Sequence, residues 1–265
     1  MLPTRVVVNG ALGRVGQEVV RALLADSELR LVGAVESVAP QPYLPTAETR
    51  DLIPFSSNLG DLLDKVCPDV IVDFTRSQVT MDACRIALPK KVSMVIGSTG
   101  FSQEDLAEIS ELCDAHKATA IVAPNFSLGA VVLMHLAKIA SRFFDNAEII
   151  EMHHDKKLDA PSGTAMATAR LMAEARGSEF VYPPTEKEML AGARGGEASG
   201  IGIHSVRMPG ILARQDVIFG CLGQTLLLRH DSTSRETYMP GVILAVKEAM
   251  KGPGYVFGLD KLLGL

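Results

Sequence analysis

The sequence has no Cys-x-x-Cys pair, and its four cysteines, Cys67, Cys84, Cys113 and Cys221, have no histidine at metal-ligand spacing. A zinc cluster of ordinary spacing is excluded, and the thiols read as reduced and buried. Positive charge is not in surplus: 26 basic against 31 acidic side chains give a formal net charge of -5, so nothing draws the chain to nucleic acid. Long apolar runs are missing too. The most apolar helix candidate, Leu128 to Ala140, is interrupted by His135 and Lys138 and is too short to span a bilayer, so no membrane partner is expected. The N-terminus enters the apolar strand Arg5-Val6-Val7-Val8-Asn9 without a signal-peptide core or an Arg- and Ser-rich transit segment, and a soluble cytoplasmic protein is expected. Internal repeats and low-complexity tracts are also lacking.

What is there is material for a large core, with 47% of 265 residues hydrophobic. In the first half, β-branched runs (Val6-Val8, Leu29-Val35, Val70-Phe74, Val92-Ile96, Ala118-Ala123) alternate with helical segments. These include Val15-Leu24 and Gln103-His116, the latter capped by Ser102. Such alternation predicts an α/β fold with about five parallel strands and crossover helices. Between Glu36 and Asn58, Pro40, Pro42, Pro45 and Pro54 break the periodicity and predict a surface loop. After Phe126 the pattern changes to a helix, a strand Ala147-Met152, a polar loop, a helix from about Thr164 and β runs near 201–206, 215–219 and 225–229. Pro209-Gly210 and Leu222-Gly223 read as hairpin turns there, so a mixed or antiparallel sheet is expected beyond a boundary near residue 126. A last helix, about Gly241 to Met250, lies between Pro240 and Gly252-Pro253.

The strand Val6-Val8 runs into Gly10-Ala11-Leu12-Gly13-Arg14-Val15-Gly16, which opens a helix. Glycines at this spacing let the backbone approach a pyrophosphate, whose charge is met by the helix N-terminus. Glu36 lies twenty residues after Gly16, at the end of the second strand, where a carboxylate binds adenosine ribose hydroxyls. Further strand ends at Phe74-Thr75, Gly97-Ser98-Thr99 and Ala123-Pro124-Asn125-Phe126 are candidates to face the nicotinamide of NADPH or NADH.

The densest cluster is Glu151-Met152-His153-His154-Asp155-Lys156-Lys157-Leu158-Asp159-Ala160-Pro161-Ser162-Gly163-Thr164-Ala165. Ser162 is an apt N-cap, which leaves the amides of Gly163 and Thr164 as free donors for a carboxylate, with Lys157 adding charge for a small dianionic substrate. His153 and His154 point to opposite faces of a regular strand, which disfavours a shared metal, so none is expected. A histidine there titrates near neutrality and can deliver a proton.

Together with Asp73-Phe74-Thr75, Gly97-Ser98-Thr99-Gly100 and Pro124-Asn125-Phe126-Ser127, these motifs resemble the 4-hydroxy-tetrahydrodipicolinate reductase family, in order along nearly the whole chain. The resemblance implies a Rossmann-like dinucleotide-binding domain, 1–126 with 237–265, and an α+β substrate-binding domain, 127–236, whose mixed sheet builds a homotetramer. It implies His153 as proton donor, Lys157 as second catalytic residue, and His154, Gly163 and Thr164, beside the N-cap Ser162, as substrate ligands. It also implies an NADPH- or NADH-dependent enzyme of the diaminopimelate route to lysine. The chain departs from the family at Ser37, where many relatives carry an Arg for the 2'-phosphate of NADP, at Ser98 in place of Thr, and along the proline-rich segment 38–58. NADPH and NADH both stay open. Competing readings are another two-domain dehydrogenase of the aspartate family, for which no cysteine shows a nucleophile's signature, and a dinucleotide sensor without catalysis.

Overall fold

In the computed structural model, which describes residues 2–265, the β-branched runs and helical segments take up alternating strands and helices. These are β1 (Thr4–Asn9), α1 (Gly16–Ala25), β2 (Leu29–Val35), β3 (Phe55–Ser56), α2 (Leu59–Val66), β4 (Val70–Asp73), α3 (Ser77–Ala87), β5 (Ser93–Ile96), α4 (Gln103–His116) and β6 (Thr119–Val122). There follow α5 (Leu128–Ala140), β7 (Asn146–His153), α6 (Gly163–Arg176), β8 (Gly196–Ala198), β9 (Ile201–Arg207), β10 (Ala213–Cys221) and β11 (Gln224–Ser232). The chain closes with α7 (Met239–Glu248), β12 (Gly254–Phe257) and α8 (Leu259–Leu263). It divides into two compact units, one holding the chain up to Ser127 with Tyr238–Leu265, the other Leu128–Thr237.

The first unit is a seven-stranded parallel sheet in the order β12-β6-β5-β4-β1-β2-β3. Every residue of β4, β5 and β6 is buried, as expected of strands covered on both faces. Strand order reverses between β1 and β4, where Asn9 and Asp73 pair at the carboxyl ends, the position at which open α/β sheets bind ligands. Helix α4 starts at a reciprocal capping box of Ser102 and Asp105. Helix α7 packs on α1, with Lys247 bound to Asp26 at 3.0 Å and Val242, Ala245 and Val246 buried.

The second unit is a five-stranded mixed sheet, β11-β10-β7-β9-β8, with β7 at its centre, parallel to β9 and antiparallel to β10. Its core joins Ile149, Val217 and Phe219 from the sheet to Leu133 and Ala137 of α5 and Ala169 and Met172 of α6. A fully buried side chain such as Phe219 or Met172 contributes about 1.5–3 kcal/mol. Among the described residues, no helix is long and apolar enough to cross a membrane.

Four expectations need correction. The parallel sheet has seven strands rather than five, because β3 and β12 add an edge on each side. Pro209-Gly210 is no hairpin turn: β9 and β10 do not pair, since β7 lies between them, whereas Leu222-Gly223 does join the hairpin β10–β11. The proline-rich segment is not wholly on the surface, for Leu44, Ile53 and Phe55 are buried and Tyr43 bridges Pro54. Of the cysteines, only Cys84 and Cys113 are buried; Cys67 is exposed at the left-handed C-cap of α2 and Cys221 is half-buried, all four being free thiols.

Candidate active site

In the first unit the glycine turn follows β1 directly. Gly10 has φ of +77°, and a Cβ at Gly16 would lie 2.0 Å from the Gly10 carbonyl oxygen, so the turn closes more tightly than a side chain permits. Its backbone is tied to the neighbouring strand by Gly10 and Ala11 amides donating to the Val35 carbonyl. Gly13 donates to Gly10 and accepts from Gln17 as α1 begins, while Leu12 and Arg14 are exposed and Val15 stands at the N-cap. Glu36 accepts from the Leu12 amide at 3.2 Å and the Ser37 amide at 3.0 Å, which brings its carboxylate onto the turn. Tight turn, helix N-terminus and carboxylate thus fit the adenosine and pyrophosphate of a dinucleotide.

The strand ends beyond β4, β5 and β6 are organised by Asp73, which is fully buried. Its carboxylate accepts from Asn9 Nδ2 at 2.7 Å, Thr75 Oγ1 at 2.6 Å, Thr80 Oγ1 at 3.0 Å and Ser98 Oγ at 3.1 Å. The Thr75 and Ser98 hydroxyls are therefore spent on Asp73, and Ala123 and Phe126 are buried. Phe74 packs on Gly97, where a Cβ would lie 2.0 Å from the ring, and meets Phe126 in a tilted contact at 5.4 Å between centroids. Asn125 Oδ1 accepts the Ser127 amide at 2.9 Å, and Pro124 and Thr99 are both exposed.

In the second unit Ile149, Glu151 and His153 alternate onto one face of β7, the first two fully buried. The Glu151 carboxylate accepts His153 Nδ1 at 2.6 Å, Arg207 Nη1 and Nη2 at 2.9 and 2.6 Å, and the Ser162 amide at 3.2 Å. Burial alone drives a carboxyl pKa up; here the hydrogen bonds from Arg207, Ser205 and His153 together outweigh it and hold Glu151 below the usual range. For His153 burial is the largest influence and lowers its pKa, against an upward pull from Glu151 and with added repulsion from Lys157 and Arg207. His154 lies just past the strand, where its carbonyl accepts the Lys157 amide at 3.1 Å.

Ser162 caps α6 by accepting the Ala165 amide at 3.1 Å. Gly163 is exposed with open space at its Cβ position, and Thr164 is half-buried in the first turn. Lys157 Nζ pairs with the Asp159 carboxylate at 2.8 Å, and the nearby Gly163 amide adds a smaller stabilising influence on that charge. These contacts, Lys157 foremost, keep the Asp159 pKa low. An internal carboxylate thus pairs with the cation beside the helix end. Arg207 is absent from the residues picked from the sequence, and Glu151, Asp159 and Asp73 stand within its motifs without an assigned role. For Asp159, three residues ahead of the N-cap, the signal was local; Arg207 lies 56 residues from Glu151 and becomes visible only through the β7–β9 register.

Two family profiles cover the chain almost end to end. The profile described as dihydrodipicolinate reductase, N-terminus, matches residues 4–126, and that described as dihydrodipicolinate reductase, C-terminus, matches 129–263. The chain belongs to the dihydrodipicolinate reductase family. It is 53% identical to a 4-hydroxy-tetrahydrodipicolinate reductase of Dehalococcoides mccartyi over all of both chains. With that of Moorella thermoacetica it shares 46%, covering 98% of this chain and 97% of the other. A solved dihydrodipicolinate reductase of a Paenisporosarcina species, with dipicolinate bound, superposes with a TM-score of 0.88 at 40% identity over 98% and 99% of the two chains. An amine dehydrogenase of Mycobacterium smegmatis, 16% identical with a TM-score of 0.66, shares the fold alone. Within the dihydrodipicolinate reductase family the α/β architecture of a parallel sheet plus a mixed sheet is the one described above. The family assignment does not favour the sensor or the other aspartate-family dehydrogenases.

Proposed function

We propose that the protein is an NAD(P)H-dependent reductase that converts 4-hydroxy-tetrahydrodipicolinate to tetrahydrodipicolinate, in diaminopimelate and lysine biosynthesis, with the substrate seated at the end of β7 and the start of α6. The observation that carries the placement is the meeting there of an imidazole, an ammonium and a helix N-terminus in one short segment. Such a segment suits a small ring bearing two carboxylates. The dipicolinate in the Paenisporosarcina structure is a dianion of the same size class.

In this reading the first unit binds the dinucleotide through Gly10–Val15 and Glu36, with Phe74, Thr75, Gly97–Thr99 and Ala123–Phe126 at the strand ends, and the second unit binds substrate. The dinucleotide, when bound, supplies the hydride. Ser162, Gly163 and Thr164 present the α6 N-terminus to one substrate carboxylate, and His154 and Lys157 bind the anion and the ring nitrogen. Loss of the 4-hydroxyl together with a hydrogen from the adjacent ring carbon, as water, first gives the unsaturated cyclic imine; its reduction leaves an enamine carbon that must take one proton, and His153 delivers it from its imidazolium. Lys157 stabilises charge on the ring nitrogen.

We further infer a cytoplasmic homotetramer built through the second unit's sheet; its edge strand β11 is nine residues long with Leu227 half-exposed, a surface that pairing with another chain covers. The roles are tested by His153→Gln, expected to lower kcat by at least about a hundredfold with cofactor affinity kept, and Lys157→Ala, expected to cost both KM and kcat. A rate unchanged by the first removes His153 as donor.

A further inference from the structure

Glu151 is a fully buried carboxylate on the same face of β7 as His153, two residues before it, with Oε2 2.6 Å from Nδ1. Isolated burial of such a charge is costly, and the structure supplies the compensation: a two-pronged hydrogen bond from Arg207, the residue paired with His153 across β7–β9, and the Ser162 amide. Arg207 is itself held by the Asp159 carbonyl at 2.7 Å and its neighbour Val206 at 2.7 Å.

An ionised carboxylate can only accept hydrogen bonds, so Nδ1 must carry a hydrogen whether the ring is neutral or cationic. Nε2 is then the atom that gains and loses the proton. The second carboxylate oxygen, Oε1, meets the Ser162 amide, so one side chain fixes both the imidazole and the residue that caps the anion-binding helix.

We propose that Glu151 is a positioning residue for the reaction: clamped by Arg207, it fixes the His153 tautomer with Nδ1 protonated, turns Nε2 to the substrate, and sets the ring in register with the α6 N-terminus. The inference rests on His153 as the proton donor. Arg207 orients Glu151, and neither residue touches substrate. The lowered pKa of Glu151, which hydrogen bonds from Arg207, Ser205 and His153 hold down against burial, agrees with it. The charged groups facing His153 are Glu151 on its own strand, Arg207 at the end of β9 and Lys157 in the following loop.

A double-mutant cycle of Glu151→Gln and His153→Gln, followed by steady-state NADPH oxidation across pH, tests the proposal. A glutamine amide donates to Nδ1 and reverses the tautomer, so E151Q is expected to lower kcat by at least about 30-fold, with KM changed less than about threefold, and to move the alkaline limb of the profile to lower pH. In the H153Q background the same change is expected to cost less than about twofold, because its target is gone. An equal loss in both backgrounds makes Glu151 merely structural and overturns the proposal. A wild-type rate in E151Q overturns it too while leaving the donor intact, whereas a wild-type rate in H153Q sinks the donor reading beneath it. Should E151Q fail to fold with Arg207 left uncompensated, nitrogen-15 NMR of the wild-type imidazole decides. Above the pKa of His153, hydrogen on Nδ1 and a bare Nε2 are expected, and the opposite tautomer contradicts the assignment.

Discussion

Lys157 Nζ and the Asp159 carboxylate lie 2.8 Å apart, close to the Gly163 amide at the head of α6. A substrate carboxylate that sought both donors would displace Asp159 first. The pair is largely open to solvent on the Asp159 side, so it is worth at most about 1 kcal/mol. Asp159→Asn is therefore expected to tighten binding of pyridine-2,6-dicarboxylate by about two- to fivefold, measured by calorimetry. Weaker binding would mean that Asp159 orients Lys157 rather than competing for it.

The pH dependence follows from His153. Burial lowers its pKa below the ordinary value of about 6.5, and a proton donor must be protonated to act. In kcat/KM, which reports the free enzyme, activity is expected to be full below a limb lying under 6.5 and to fall as pH rises through it. In kcat the limb is expected at higher pH, because two bound carboxylates favour the imidazolium. Rate profiles in both parameters check this. A limb in kcat/KM above 7.5, or one that survives in H153Q, contradicts the assignment.

Cofactor choice turns on the residue after Glu36. Glu36 is negative and Ser37 brings no charge to a 2'-phosphate, so NADH is expected to serve at least as well as NADPH. Ser37→Arg is expected to shift the ratio of kcat/KM by at least about tenfold toward NADPH, about 1.4 kcal/mol of added interaction. An unmoved ratio would place the 2'-phosphate elsewhere.

Elements with local signals are legible in the sequence, and those set by distant pairing are not. Ser102 with Asp105 marks the start of α4, and the bounds of β2 and α5 follow from periodicity. Strands β3, β8 and β12 are two to four residues long at sheet edges, where partners on other strands decide the conformation. For β8 a cue does exist, since Ser199 and Gly200 both have positive φ in the turn to β9, as the commonest two-residue hairpins require. Pro209-Gly210 has the residues of a hairpin turn, yet the strand after it joins β7, a choice no local chemistry encodes. The His153 to Thr164 block is visible because its members are contiguous. What holds it together is not, because Arg207 reaches Glu151 only after β7 and β9 align.

The reduction itself is read by following NADH and NADPH absorbance with the fresh condensation product of pyruvate and aspartate semialdehyde as substrate. A reductase of this substrate is expected to oxidise a nicotinamide only when that product is supplied, with the activity lost in H153Q. Cofactor binding with no turnover under those conditions would contradict it.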